Sequence, residues 1–380
     1  MAMIPSRFIL GGLAAAWMTG SAWADPPVVS HDDSFSKEGL FKADVSKLKD
    51  TQLTAHPDTP LAENKNVLWC GTLQLAWNKA IDLVGEKLKF ANQPPVVDLL
   101  NREDFTDADL APGSYVAMAD FERNNVEDEI RAALEKTFTG AASPELIPPK
   151  PPHPGPDDFV AYAYLYKNLA FADPFADNDP LTFGAQQVAN FGFTKNLDRV
   201  PYVVTAQVSI YDYQSENDFI IKLKTKSPDD ELILAKITPG PTLQETITRT
   251  LKRIAQNKPD YVNKETDQLA IPKLNFDLRG DFTELEGLIL EPSPSAHVRT
   301  LILSKAQQLI RFQLNENGAI LKSEATISMT LAIAMEPPKP HLMIFDRPFL
   351  ILMKQAKSDQ PYFALWVGNA SLLVPAGNPK

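Results

Sequence analysis

The side chains best suited to acid–base or metal chemistry near neutral pH are the five histidines, His31, His56, His153, His297 and His341, and they are scattered along the sequence. None pairs with another at metal-ligand spacing, and the chain has no H-E-x-x-H, G-x-S-x-G, Cys-x-x-Cys or phosphate-cradling glycine loop. The acidic groups Asp157-Asp158, Asp173–Asp179 and Asp229-Asp230-Glu231 could offer oxygens to calcium. None has the twelve-residue loop of alternating ligands, so solvated loop charge is expected of them. Cys70 is the only cysteine, which excludes an internal disulfide; beside Trp69 on an apolar face it reads as a buried, inert thiol. These absences point away from an enzyme, a cofactor and a metal. A hydrolase assembled from dispersed residues needs no motif and stays open as an alternative.

The N-terminus carries one cation, Arg7, then an apolar stretch from Phe8 to Trp23 closing on Ala22-Trp23-Ala24. Charge, short apolar run and small-residue site form the three-part pattern of a secretory signal peptide over residues 1–24. Gly11, Gly12, Thr19, Gly20 and Ser21 interrupt the run, which falls short of the roughly 20 apolar residues of a membrane span. The expectation is a secreted protein, extracellular or periplasmic, without a membrane anchor. The formal net charge of −11 argues against nucleic acid and anionic lipid as partners.

The elements that must position any site change character along the chain. Residues 25–62 are polar without a steady period and read as an extended or poorly ordered lead-in, and the remainder, 63–380, as a single domain. From Asn66, the residues Trp69, Leu73, Trp77, Ala80, Val84 and Leu88 recur at helical spacing. A second helix is expected over Asn124–Phe138, with Val126, Ile130, Ala133 and Leu134 inward and Asn124 or Asn125 as its cap. The proline-rich run of residues 148–157 can be neither helix nor sheet interior and reads as a stiff connector. Strands are then expected at Phe159–Tyr166, Tyr202–Tyr213, Phe219–Leu223, Glu231–Ile237, Lys273–Leu278, Leu309–Leu314, Ala319–Met335, Leu342–Met353 and Tyr362–Val367, with one helix at Thr242–Ala255. Helices mostly first and strands mostly later give an α+β fold.

The segment Met343-Ile344-Phe345-Asp346-Arg347-Pro348-Phe349-Leu350-Ile351-Leu352-Met353 resembles the C-terminal signature of the serpin family. Phe349–Met353 has no polar face and should be buried on both sides. Pro361–Gly368 looks like the family's closing strand. Weaker likenesses occur in family order: Ala161–Lys167 with Pro174-Phe175, Asp230–Leu234, Ile271–Leu278 with Asp281–Leu285, and Leu303–Ala306 with Phe312–Gly318. The resemblance covers about residues 66–375 and implies a helical N-terminal part, a large mixed β-sheet and an exposed reactive loop.

Residues Ala319 to Met335 alternate with period two. Odd positions run Ala319, Leu321, Ser323, Ala325, Ile327, Met329, Leu331, Ile333 and Met335; even positions run Ile320, Lys322, Glu324, Thr326, Ser328, Thr330, Ala332 and Ala334; Glu336-Pro337-Pro338-Lys339-Pro340 ends the run. The resemblance makes 319–340 the reactive loop, which a protease cuts and which then enters the main sheet as an added strand. Its hinge would involve Gly318, Ser323, Glu324 and Ala325, and its bait bond would fall near Met335-Glu336 or near Leu331 according to register. An apolar residue there suits chymotrypsin- or elastase-like serine proteases. An ordinary strand in a permanent hairpin turning at Asn315–Gly318 is the plain alternative.

The chain departs from the family at several points. Gly318 is followed by Ala319-Ile320-Leu321-Lys322 rather than small residues, Tyr162 stands where the family has a strand Asn, Gln308 where it has a His, and Ala170 or Phe171 where it has a Trp. These departures bear on trapping more than on fold and keep a non-inhibitory binding or scaffold module in play. The reading is of a monomeric, secreted, non-enzymatic partner of a serine protease.

Overall fold

The computed structural model describes residues 39–62, 64–138, 145–147, 152–155, 157–195, 199–292, 301–318 and 340–377. The expected signal peptide lies outside the described residues.

The described chain is α+β, and its largest sheet is mixed and holds eight of the nineteen described strands. In chain order the strands are β1 (Phe41–Asp44), β2 (Thr51–Leu53), β3 (Asn66–Cys70), β4 (Tyr115–Phe121), β5 (Phe159–Leu165), β6 (Ala176–Asp177), β7 (Leu181–Phe183), β8 (Gln186–Val188), β9 (Asn190–Phe193) and β10 (Val208–Ser215). They continue with β11 (Asp218–Leu223), β12 (Asp230–Lys236), β13 (Asp260–Tyr261), β14 (Gln268–Pro272), β15 (Leu274–Asp281), β16 (Gln307–Leu314), β17 (Leu342–Ile344), β18 (Phe349–Gln355) and β19 (Pro361–Val367). The helices are α1 (Thr72–Val84), α2 (Pro95–Leu100), α3 (Val126–Thr137), α4 (Tyr202–Thr205) and α5 (Leu243–Gln256).

An eight-stranded sheet in the order β13-β10-β11-β12-β18-β19-β3-β2 holds the centre. Its middle strands β18 and β19 are buried on both faces from Phe349 to Lys354 and from Pro361 to Val367, as an apolar run with no polar face requires. The hairpin between them pairs Ile351 with Leu365 and Leu352 with Ala364. On this sheet lies a three-stranded sheet, β1-β15-β16, through Phe276, Leu278, Ile310 and Leu314; the Phe312 and Phe363 rings stack at 4.8 Å across the layers. A four-stranded sheet, β17-β14-β9-β6, adds Phe191, Phe193, Leu269, Ile271 and Met343 to the same core. β7 and β8 form a separate hairpin.

β4 and β5 make a two-stranded sheet of their own. Its alternation divides two partners. Ala161 and Phe159, with Phe121, face the α1 core of Trp77, Ile81 and Val84. Val116, Tyr162 and their even-numbered neighbours face Val126, Ile130, Leu134 and Phe138 of α3. The stripe expected on α3 is thus the one that packs. Asn125 does stand at its N-cap, in the left-handed region at φ 61°, but makes no side-chain capping bond.

Several expectations need correction. Asn66–Cys70 is strand β3, not the first turns of a helix, because its backbone is paired on one side by β19 and on the other by β2; α1 begins only after Gly71 and stops at Gly85, φ 88°. The lead-in is structured from residue 41, where β1 pairs in parallel with β15 and β2 with β3. Strands of three or four residues leave too little alternation to detect. Tyr202–Tyr213 divides: Pro201 precedes the short α4, and the strand starts at Val208. Leu342–Met353 also divides, since Phe345–Pro348 joins two strands of different sheets. β4 and the short strands β6 to β9 went unanticipated. Of the proline-rich run, residues 148–151 and 156 lie outside the described residues.

Candidate functional site

Among the described strands, β5 pairs only with β4, and β16 only with β15. Among the described residues, each therefore has one edge beside which no other strand pairs, the feature that lets a sheet accept another strand. Both strands pack against α1, as does β4. Past the end of β5, Tyr166–Leu169 line one wall of an opening whose other wall is Arg311–Leu314 of β16; Leu232 of β12 and Met353 of β18 complete the lining, with Gly318 at the rim. Both strands thus run toward the same opening.

β16 ends in a tight turn at Asn315–Gly318. The Gly318 amide donates to Asn315 O at 3.1 Å, the Asn317 amide donates to Asn315 Oδ1 at 3.0 Å, and Asn315 and Gly318 face each other as an antiparallel bridge. The turn reverses the chain and docks on the segment after β5: Phe171 N donates to Asn317 O and Phe175 N to Glu316 O, at 3.2 and 2.8 Å. Gly318 has φ +69°, and a Cβ there would come within 2.5 Å of Phe171 N and 2.6 Å of Leu169 O. Only glycine satisfies both the backbone angle and the contact.

A charge cluster braces this turn. Glu316 lies 2.6 Å from Lys273 Nζ, which also meets Asp177 of β6 at 2.5 Å. Burial works against the charge on Lys273, yet the carboxylates of Asp177 and Glu316 outweigh it and raise its pKa. Lys273 is the residue between β14 and β15 within the Ile271–Leu278 segment, so two likenesses read separately from the sequence meet here.

Lower down lies Gln308, a point at which the sequence departs from the family pattern. Its Nε2 donates to Cys70 O at 3.0 Å and to Thr72 Oγ1 at 2.7 Å, tying β16 to the start of α1. Tyr162 turns away from that contact and packs among the α3 residues, where burial raises its pKa. Cys70 is half-buried, and desolvation raises its thiol pKa, which favours the protonated thiol.

The far side of the 319–339 segment is fixed as firmly as the near side. His341 donates from its backbone amide to Asp267 Oδ1 at 2.8 Å and places Nδ1 2.9 Å from Oδ2, and the Asp267 carboxylate is 1% exposed. The His341 ring packs edge-on to Tyr213 at 4.6 Å, and Tyr213 Oη accepts from Leu342 N. Beyond it, Asp346 of the Asp-Arg-Pro signature accepts from buried Lys236 at 2.6 Å.

Of the predicted site residues, Gly318 lies at the rim of the opening, while Ser323, Glu324, Ala325, Leu331, Met335 and Glu336 lie outside the described residues. Asp230 and Glu231 open β12, as the strand expected at Glu231–Ile237 requires, so the reading of them as solvated loop charge fails: Asp230 is buried in an ion pair with Lys167, 3.0 Å away, with side-chain exposures of 6% and 8%. Among the described residues no group of three or more His, Cys, Asp or Glu is placed to hold a metal ion, and no helix is long and apolar enough to cross a membrane.

No family model and no curated protein matches this chain. Two solved structures of thyroxine-binding globulin, a serpin-fold protein, are similar to it: one a complex with thyroxine, the other the human protein with the same ligand. Each is 14% identical, covers 80% of this chain and 93% or 92% of its own, and has a TM-score of 0.46. A TM-score that low carries no inference about ligand or activity.

Proposed function

We propose that this chain is a secreted bait-loop protein of the serpin type, which offers residues 319–340 to a serine protease and takes the cut loop into the opening between β5 and β16. The observation that carries the reading is that, among the described strands, β5 and β16 each pair on one side only and end at one opening, with a glycine turn after β16 that reverses the chain there. Continuing the Asn315–Gly318 pairing would set Ala319, Leu321, Ser323 and Ala325 opposite Leu314, Phe312, Ile310 and Gln308. Paired residues share a face in an antiparallel ladder. Leu314, Ile310 and Gln308 are buried, so the apolar stripe of the segment would face the core.

A second reading, a non-inhibitory binding module on the same fold, is favoured by one detail of that register. It sets Lys322 opposite Arg311, and like charges directly opposite oppose pairing. Bulky Ile320 and Leu321 would slow entry further and give a protease time to escape.

The test is to incubate the purified protein with elastase- and chymotrypsin-like proteases and run denaturing gels. A boiling-resistant complex with the protease supports trapping. Clean cutting between 319 and 340 without a complex leaves the binding module. No cutting in that segment sinks the bait-loop reading altogether.

A further inference from the structure

The buried charges nearest the opening have a role that neither the core nor the hinge requires of them. Lys167 stands two residues past the end of β5, and Asp230 begins β12. Lys167 Nζ lies 3.0 Å from Asp230 Oδ1 and 3.3 Å from Oδ2, and sits 5.2 Å above the ring of Tyr362 in β19. Three neutral donors complete the carboxylate: Ser227 Oγ at 2.7 Å, Tyr362 Oη at 3.1 Å and Gln355 Nε2. Burial, with the Asp230 charge second, pushes the Tyr362 phenol pKa well up, so it stays protonated as a donor. Taking a lysine and an aspartate out of water is costly, and packed apolar residues would stabilise the fold as well. One attested reason to keep such a pair is that it fixes one arrangement against another.

The alternatives at this place are visible in the topology. β5 belongs to a two-stranded sheet, and the first backbone bond past its end, Tyr166 N to Ser114 O, stays within that unit. Lys167 itself lines the opening, as does Leu232, two residues along the same strand from Asp230. We infer that the Lys167–Asp230 pair is a clasp: it fastens the upper end of β5 to the eight-stranded sheet and sets how far β5 and β16 stand apart at the mouth. Lys167 is a positioning residue there. Its control of strand entry rests on the bait-loop reading; the clasp itself does not.

Hydrogen exchange measured by mass spectrometry on the full chain tests it, comparing Lys167→Met and Lys167→Arg with the wild type. Methionine keeps an apolar stem, and Asp230 keeps its three neutral donors; should that variant not fold, Lys167→Gln is read in the same way. Amides of 165–171 and 311–318 are expected to exchange at least about tenfold faster in Lys167→Met, with β18 and β19 unchanged and Lys167→Arg restored to the wild-type rate. Wild-type exchange at the mouth, or a uniform rise that includes β18 and β19, overturns the clasp. Cutting the loop then separates the two ideas. If mouth exchange rises in Lys167→Met but neither protein gains stability on cutting, the clasp stands and the bait-loop reading falls. If both gain it, the variant gains it faster.

Discussion

Gly318 is the residue on which the mouth turns, and its requirement is double. It sits in the left-handed region at φ +69°, and any Cβ meets backbone atoms of Leu169 and Phe171 that cannot move aside singly. Gly318→Ala should cost about 2–4 kcal/mol, the sum of backbone strain and a clash with fixed neighbours. Gly113, at φ +81° with nothing within 4 Å, isolates the first contribution, and Gly113→Ala should cost only about 1 kcal/mol. Equal losses for the two in urea denaturation would show that the docking contact is slack. His56 gives a second prediction at this scale. It is buried, with Nδ1 accepting from Asp58 N at 3.1 Å and Nε2 3.4 Å from the Arg102 guanidinium. Burial first, then the Arg102 charge, lowers its pKa; Asp58 and Asp104 oppose this without prevailing. Its folded pKa thus lies below the unfolded value of about 6.5. The stability of the neutral ring is full above about pH 6.5 and is lost as pH falls from there through the folded pKa. Melting temperatures from pH 7.5 to 5 should fall more for the wild type than for His56→Asn, whose amide oxygen can accept the same bond; parallel curves would remove His56 from the acid response.

At the scale of elements, legibility followed length and locality. α5 was readable from its apolar stripe, of which Leu243 and Ile247 reach the core; the structure adds a cap, Thr242 Oγ1 accepting from Glu245 N at 3.1 Å. Thr242→Ala should cost about 1 kcal/mol, the ordinary value of an N-cap, and an unchanged denaturation midpoint would mean that Thr246 and Gly240 hold that end unaided. β18 and β19 were readable for the opposite reason, having no polar face at all. β1, β2 and β6 were not, since two to four residues carry no period and their pairing partners are more than ten residues away in sequence. β3 was misread because Trp69 continues the spacing of α1 by accident, while the ladder to β19 and β2 decides its backbone. The site divides in the same way. Gly318 and the Lys273 segment could be named from local pattern. The Lys273–Glu316 and Lys167–Asp230 pairs could not, because nothing local distinguishes a lysine that will be buried from one that will be solvated.

For the whole molecule, the decisive quantity is the free energy that one more strand would release between two sheets that, among the described residues, each end on an open edge. β4-β5 and β1-β15-β16 both lean on α1, and one strand between β5 and β16 would join them into a single sheet in the order β4, β5, new strand, β16, β15, β1. β16 offers eight residues, about 26 Å of edge at the usual rise per residue, and β5 offers seven. Eight residues from Ala319 to Thr326 would fill that length. With a net worth of about 1 kcal/mol for each backbone bond made, the ladder to both neighbours would amount to several kcal/mol after strand ordering is deducted. In a domain of this size each kcal/mol shifts the melting temperature by about 1–2 °C. Cutting within 327–339 should therefore raise the melting temperature by roughly 5–10 °C, because it frees the segment from the anchor at His341 and Asp267 while leaving it attached at Gly318. The sign matters more than the size. An ordinary surface loop loses stability or changes little when nicked, since the cut adds freedom to the unfolded and folded chain alike. A lowered or unmoved melting temperature, with the cut confirmed by mass, would mean that the edges of β5 and β16 do not accept this strand.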